Sequence, residues 1–306
     1  MTGRPKTDLR HLTVHHRHRV GRVALVIALA LGAPSCGDES SSNTADTDSS
    51  MPASSRSPSS SPTTTASVRT DPDETTTARV YFLRDEKVSP VGRTVDGRTP
   101  ARGALEALLK GPGHDTDLVS SIPSGTTLLG ISVAGGVATV DLSGEFASGG
   151  GSLSMLTRVA QVVFTLTQFP TVTSVSFHLD GSPVNAIGGE GVLVDPPRTR
   201  SDFEDQTPAI LVESPLPGTR LESPFTATGT SNTFEATYLY SLTDAAGTVL
   251  AEGFGTATSG TGTRGTFSQE IAYAEAAPGT AVLKLFESSA NDGSDINVVE
   301  IPVELS

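Results

Sequence analysis

The chain has 306 residues, enough for two modest domains, and its 34 acidic against 21 basic side chains give a net charge of −13. The first 35 residues hold six of the bases, one of the acids and four of the six histidines; the remainder keeps 15 bases and 33 acids, a net −18, which argues against nucleic acid and against direct adhesion to anionic lipid. With one cysteine, no tryptophan and only His114 and His178 beyond the leader, thiol catalysis and cysteine-built zinc or iron–sulfur sites are excluded.

The leader comes first. Arg4, Lys6, Arg10, Arg17, Arg19 and Arg22 precede an apolar run from Val23 to Ala33. Those 11 residues suit the core of a secretory signal and fall short of the ~20 that span a bilayer. Ala33, Pro34 and Ser35 are small, and Cys36 follows. This is the pattern of a bacterial lipoprotein signal, cleaved before Cys36 so that the thiol carries lipid. The alternatives are an uncleaved anchor helix and a buried structural cysteine. No Arg-Arg pair marks a twin-arginine route. A single acyl chain binds a membrane only marginally, and a diacylglycerol on the thiol meets the need for more.

Residues 37–78 contain no Leu, Ile, Phe or Tyr and are dominated by Ser, Thr, Pro and Asp. Such a segment buries too little apolar surface to offset ordering entropy, so the composition predicts a disordered stalk. As a flexible coil of about 40 residues it spans roughly 35 Å on average.

Folded sequence is expected from Ala78. Arg79–Leu83 reads as a strand. Thr99 and Pro100 open a helix as N-cap and first-turn residue; Ala104, Leu105, Leu108 and Leu109 form its stripe, and Gly111-Pro112 closes it. Strands 128–133 and 137–142 flank Gly135-Gly136, a hairpin signal. A second helix runs from about Ser152 to Gln168. Thr157, Arg158, Gln161, Thr165 and Gln168 make its polar side, and Leu156, Val159, Ala160, Val163 and Phe164 its apolar side. Thr173–Leu179 is a further strand. The order β-α-β-β-α-β implies helices packed on a small mixed sheet.

The polar, Pro-containing stretch 195–202 marks a boundary. Seven strands are expected after it, at 209–213, 225–229, 236–244, 249–255, 265–273, 280–287 and 297–305, a spacing that suggests a sandwich. In the last, Val299, Ile301, Val303 and Leu305 face the core, and Pro302, lacking an N–H, belongs at a sheet edge or a bulge.

The segments RVYFLRDEKVSPVGRTV, ALEALLKGP, IPSGTTLLGISVAGGVATVDLSGEF and RVAQVVFTLTQFPTVTSVSFHLDG resemble the GerMN domain of bacterial sporulation and germination proteins. PAILVESPLPGTRLESPFTATGTSNTFEATYLYSLTDAAG, with SANDGS and NVVEIPVEL, resembles the immunoglobulin-like domain that often follows it. Together they cover roughly residues 78–306. The resemblance implies a non-catalytic envelope module that assembles with other proteins or with the wall.

Candidates for chemistry are few. Asp141, Glu145 and His178 are the side chains a wall- or glycan-active hydrolase would use, as a carboxylate pair or as a base beside Asp180. Against them stand a strand-edge histidine, a turn aspartate and a strand-end cap. No G-x-S-x-G occurs. Gly260-Thr-Gly-Thr-Arg-Gly265 has the letters of a dinucleotide fingerprint, but a strand is expected to follow, so it reads as a β loop. Residues 291–297 offer oxygen ligands for calcium without the full loop, and read as a turn. Arg102 and Arg158 read as solvated helix charges, and the apolar face of the second helix as core.

The sequence therefore predicts an α+β chain: signal peptide 1–35, stalk 36–77, a small mixed-sheet domain with two helices packed on it over 78–200, and an all-β immunoglobulin-like sandwich over 208–306. The expected role is a non-catalytic protein lipidated at Cys36, on the extracytoplasmic face of the membrane. It would bind or assemble envelope proteins or cell-wall polymer, with no cofactor, no metal and no nucleic acid; the sequence fixes no oligomeric state. Beside it stand the hydrolase and a ligand-binding lipoprotein that feeds a sensor or transporter through a cleft near 195–208.

Overall fold

The structure, a computed structural model, describes residues 74–306 apart from 115–116, 190 and 275–276. The leader, Cys36 and the stalk up to residue 73 lie outside the described residues. Strand structure is present upstream of Ala78, where folded sequence was expected to begin. β1 (Thr75–Arg84) pairs with β2 (Lys87–Asp96) in an antiparallel hairpin, so three threonines assigned to the stalk by composition are strand residues opposite 94–96.

The loop of this hairpin is Asp85-Glu86, with φ of 49° and 63°. Two-residue loops of that geometry favour Asn-Gly or Asp-Gly. The acidic pair lacks that signal and Pro90 interrupts the second strand, which is why only the first was anticipated. The order in the first module is thus ββ-α-ββ-α-β rather than β-α-β-β-α-β.

Helix α1 (Pro100–Leu109) follows, with Pro100 in its first turn. Thr99 occupies the N-cap position, but its side chain makes no cap bond, contrary to expectation. Next come β3 (Leu128–Ala134) and β4 (Val137–Leu142), joined through Gly135 and Gly136 at φ 59° and 85°. Helix α2 (Ser152–Leu166) then crosses over to β5 (Ser174–Leu179), which lies parallel to β4. The two-residue strands β6 (Ser182–Pro183), β7 (Ala186–Ile187) and β8 (Val192–Leu193) complete the module. Its four-stranded mixed sheet has the order β3-β4-β5-β6, and the β1–β2 hairpin is a separate sheet. Val80 and Phe82 of β1, Leu105 and Leu108 of α1, Val159 and Val163 of α2, and Val140 and Phe177 of the sheet share one core.

The polar side of α2 departs from the solvated face that was expected. Thr157, Arg158, Gln161 and Thr165 are all buried. The cause is the free edge of β1. Its residues 79, 81 and 83 turn their backbone groups away from β2, and a buried edge needs partners. Tyr81 N–H donates to Thr165 Oγ1 at 3.2 Å, and Gln161 Nε2 donates to Tyr81 O at 3.1 Å. Gln168 accepts from Arg79 N–H and donates to Arg79 O, and Leu83 exchanges both bonds with Val119. Residues 161 and 165 lie on one face of α2, and Gln168, expected inside the helix, sits in the turn just past its end at Leu166, so the helix and its last turn present a side-chain imitation of a neighbouring strand. Pro90 opposes Tyr81, whose bonds point outward, so its missing N–H costs nothing.

Arg158 is likewise buried and not solvated. It donates to the carbonyls of Ser121, Phe146, Ser148 and Gly149, with its guanidinium 5.8 Å from the Phe146 ring centre. Burial pushes its pKa down, and the ring of carbonyl oxygens replaces the lost water. Arg102 is exposed and pairs with Glu106 at 3.3 Å, as a solvated helix charge should.

The second module is an immunoglobulin-like β-sandwich. A short 3-10 turn at Arg200–Gln206, opened by a Thr199/Asp202 capping box, leads to β9 (Ile210–Ser214). After it come β10 (Arg220–Leu221), β11 (Phe225–Ser231), β12 (Thr237–Asp244), β13 (Val249–Thr256), β14 (Gly265–Ile271), β15 (Gly279–Ser288) and β16 (Asp295–Leu305). All seven expected strands are present within a few residues, and β10 is additional. One sheet has the order β10-β16-β15-β12-β13, the other β14-β11-β9. In place of a disulfide and tryptophan, Tyr238 and Phe267 meet across the sandwich with ring centres 4.8 Å apart.

Gly253 and Gly255 on β13 lie opposite Tyr240 and Tyr238, whose rings occupy the space a Cβ would need. Pro302 falls where β16 is an edge: β10 pairs only with its last two residues, and the Pro302 carbonyl accepts from Gly218 N–H at 2.8 Å. Among the described residues, no helix is long and apolar enough to cross a membrane.

Candidate functional site

The three side chains nominated for hydrolysis occupy one end of the mixed sheet. Asp141 on β4 lies beside His178 on β5 in the parallel register. Asp141 Oδ1 accepts from Gly181 N–H at 3.0 Å, and Asp180 Oδ1 accepts from Gly144 N–H at 3.1 Å. Each carboxylate therefore ties down the loop that follows the other strand. Glu145 is exposed on a 3-10 turn, and a hydrogen bond from the Ser143 side chain holds its carboxyl below the usual range. A general acid needs its pKa raised towards neutrality, and Glu145 moves the other way. None of the three lines the cavities described below.

The two sequence motifs resolve as loops. Gly260–Gly265 runs directly into strand β14, so no helix N-terminus awaits a pyrophosphate. Residues 291–294 form a turn in which Asp292 Oδ1 accepts from both Ser294 N–H and Ser294 Oγ, bonds that hold its carboxyl low. Among the described residues no cluster of His, Cys, Asp and Glu could hold a metal ion.

The densest polar constellation lies elsewhere, where the two modules meet. Arg200, from the connecting turn, donates Nη1 to Glu213 on β9 at 2.7 Å, Nη2 to Tyr81 OH on β1 at 3.3 Å and to Phe164 O on α2 at 3.2 Å, and Nε to Thr167 Oγ1 at 2.8 Å. Tyr81 OH donates to the same Glu213 oxygen. The guanidinium also stands over the rings of Phe164 and Tyr81, 4.8 and 5.4 Å from their centres. Burial drives the Glu213 carboxyl upward, but the Arg200 charge and the Tyr81 hydrogen bond outweigh it, and the net shift is downward. Burial and the adjacent Glu213 charge push the Tyr81 phenol well up, so it stays a donor.

A second fastener lies beside the first. Arg264, the arginine of the glycine-rich loop, forms a two-pronged pair with Glu204 at 2.8 and 2.9 Å and also donates to Pro208 O. Asn232 donates to Glu204 and accepts from Gly262 N–H. Phe203 and Leu211, from the connection and the second module, pack into the core of the first. Sequence reasoning missed this junction because its members are spread from residue 81 to 264 with no recurrent spacing.

A cavity of about 450 Å³ opens at the junction, walled by Phe164, Arg200, Glu204, Thr230, Thr263 and Arg264. It lies where a ligand cleft was considered. Its two cations are already spent on Glu213 and Glu204, which leaves little unpaired charge for a ligand. A second groove, of about 180 Å³, runs between the β1–β2 tip, β9 and β16 and is mostly apolar.

Residues 79–185 match the family model described as sporulation and spore germination, and residues 209–294 match that of the immunoglobulin-like domain of bacterial spore germination. The chain joins these two kinds of domain. The germination-type domain covers the hairpin, both helices and the mixed sheet, and the immunoglobulin-like domain most of the sandwich. The arginine–glutamate junction draws on both matched spans and on the connection between them. Neither description names an activity.

Among solved structures, the first GerMN domain of the sporulation protein GerM from Bacillus subtilis is 23% identical, with 42% of this chain and 99% of that one covered and a TM-score of 0.35. The tandem GerMN domains of the same protein give 18% identity, 65% and 62% coverage and a TM-score of 0.38. A chain described as a lipoprotein from Clostridium perfringens gives 22% identity, 42% and 89% coverage and a TM-score of 0.33. No curated protein matches the chain.

Proposed function

We propose that this protein is a lipid-anchored, non-catalytic adaptor of the cell envelope, with a germination-type domain and an immunoglobulin-like domain that act as one rigid body. Cys36 is the lipidation site, the following Ser/Thr/Pro-rich segment is the spacer, and the folded pair binds envelope proteins or wall polymer. The observation that carries this reading is the expenditure of the best-placed charged side chains. Arg200, Glu213, Glu204 and Arg264 fasten the modules, and Asp141 and Asp180 fasten loops. A catalytic carboxylate needs an open face towards substrate.

Crosslinking in live cells followed by mass spectrometry should recover an envelope partner that is lost on deletion of either domain, while hydrolysis assays on wall material stay blank. Reproducible turnover that disappears in an Asp141→Ala variant would overturn the reading. Anchoring has its own test: the Cys36→Ser variant should leave the membrane fraction and fail to incorporate palmitate.

A ligand-binding role is the second reading, and the junction cavity is what favours it. Soaked or titrated wall fragments that protect Thr263 and Arg264 from solvent exchange would support it over the adaptor.

A further inference from the structure

Asp-Gly is a dipeptide that tight hairpins favour, and it is also one of the least durable in a polypeptide. The glycine amide nitrogen attacks the aspartate side-chain carbonyl carbon. A C–N bond forms, a C–O bond breaks, and the amide proton leaves with the carboxyl oxygen as water, which gives a five-membered succinimide. Water then reopens the ring at either carbonyl. One route restores aspartate; the other leaves isoaspartate, with the main chain running through the side chain. No oxidant or cofactor takes part. The chain has three such bonds, Asp96–Gly97, Asp180–Gly181 and Asp292–Gly293.

The second is the tip of the β5–β6 hairpin. Leu179 pairs with Ser182, and Asp180 and Gly181 have φ of 49° and 80°. A two-residue turn with both φ values positive calls for Asp-Gly, so the fold needs the labile pair here. Both reacting groups are held. The nucleophile, Gly181 N–H, donates to Asp141 Oδ1 at 3.0 Å. The electrophile, the Asp180 carboxylate, accepts from Gly144 N–H at 3.1 Å, and Asp180 N–H donates to Leu142 O at 3.0 Å. Gly144 makes this approach possible, since a Cβ there would stand 2.7 Å from Asp180 Oδ2. Ring closure requires the carboxyl to swing over the peptide plane and the amide to give up its in-plane hydrogen bond. The segment 141–144 opposes both motions.

The other two bonds differ in what holds them. At Asp96, Gly97 N–H donates to Glu74 O at 2.7 Å across the open end of the β1–β2 hairpin, and Arg98 N–H donates to the carboxylate at 2.8 Å. At Asp292 every holder belongs to one exposed turn. Gly293 N–H donates to Ser289 O at 2.9 Å, and Ser294 supplies both bonds to the carboxylate. Exposed loops open at little free-energy cost, and a turn fastened only to itself loses its bonds together.

We propose that Asp292–Gly293 is the chain's site of spontaneous isoaspartate formation, and that Asp141 and Gly144 protect Asp180–Gly181 from the same reaction. The Asp141 carboxylate thus withholds a nucleophile. Rearrangement at Asp180 would add a main-chain carbon to a two-residue turn and break the register of His178 with Pro183. The proposal needs neither the anchor nor a partner, and its failure leaves the adaptor reading intact.

The test is incubation of the full-length chain in detergent micelles for weeks at neutral pH. Proteolysis and electron-transfer dissociation mass spectrometry then distinguish isoaspartate from aspartate at each of the three positions. In the parent, isoaspartate should build up faster at Asp292 than at Asp96 or Asp180. Asp141→Ala should raise the rate at Asp180 about 10-fold, the factor by which a hydrogen bond to a charged group restrains such an opening. Asp141→Asn keeps an acceptor oxygen and should stay within ~3-fold of the parent. Gly144→Ala displaces the Asp180 carboxylate with Asp141 intact, and should also raise the rate at Asp180. In every variant Asp292 should keep its parent rate. Asp96 reports on folding, because its bond is freed only when the β1–β2 hairpin opens. A parent rate at Asp180 equal to that at Asp292, or a rise of less than ~5-fold in Asp141→Ala, would overturn the proposal. So would an equal rise at Asp96, an Asn variant as fast as the Ala variant, or Gly144→Ala without effect.

Discussion

Replacing Gln161 by methionine separates the two roles a polar helix side chain can have. The residue is fully buried on α2. Its Nε2 donates to Tyr81 O at 3.1 Å, and its Oε1 accepts from Ser121 N–H and Ser121 Oγ, both at 3.0 Å. Methionine keeps the length and flexibility of the side chain, so packing is nearly unchanged. What is lost is the partner of one buried carbonyl and one backbone N–H, at about 1–2 kcal/mol each. The expected destabilisation is about 2–4 kcal/mol, or roughly 5–15 °C in Tm for a folded unit of this size. Thermal and urea unfolding followed by circular dichroism measure it. Arg102→Ala, on the exposed face of α1, should shift Tm by about 1 °C or less and serves as the control. A Gln161→Met variant within ~0.5 kcal/mol of the parent would refute the account of α2 as a substitute strand.

Arg200→Met removes one partner of a buried pair and leaves Glu213 beside Tyr81 without its main cation, so unfolding should cost about 3–5 kcal/mol less, and limited proteolysis should cut first within 199–208. Glu213 and Glu204 both have carboxyls held below the usual range in the folded state, so their contribution is present above the unfolded pKa near 4.5 and is lost as pH falls through the folded values. Stability measured from pH 6 down to 3 should fall, and Glu213→Gln should flatten that limb. At the alkaline end, burial, with help from Tyr240, pushes the Tyr238 phenol up to about 12, so its share of stability is complete below pH 10 and disappears as pH rises towards 12. Gly255→Ala places a methyl against the Tyr238 ring, with 2.3 Å to its hydroxyl oxygen, and should destabilise the sandwich by about 1–3 kcal/mol in urea unfolding.

The sandwich was legible because its strands announce themselves locally. Alternation in residues 299–305, the turn residues between strands and the proline at 302 each carry a fixed physical meaning. The Gly135-Gly136 hairpin and both helices were legible for the same reason. β2 was not, since Asp85-Glu86 lacks a turn signature and Pro90 reads as a strand breaker until Tyr81 is known to face it. The polar side of α2 was misread because a 3.6-residue pattern shows which residues share a side, not what lies opposite. The same holds for Arg158, whose carbonyl partners come from two separate loops. The junction was invisible: Tyr81, Arg200 and Glu213 are joined only by tertiary structure, and each alone is an ordinary residue. Asp141 and His178 were each expected in a strand; that the two strands pair in parallel came only from the structure, and the hydrogen bond that Asp141 accepts from Gly181 N–H gives it a loop to hold.

Thr75 is both the first residue of β1 and the point where the upstream chain attaches. A load drawn along that strand does not peel the hairpin open one rung at a time. It acts in shear on ten paired positions at once, and on the glutamine and threonine bonds from α2 along the opposite edge. Tyr81, midway along the same strand, hands the load through Arg200 to Glu213 and so to the far module. On the anchoring proposed above, the strand that takes the load is thus the one braced along both of its edges.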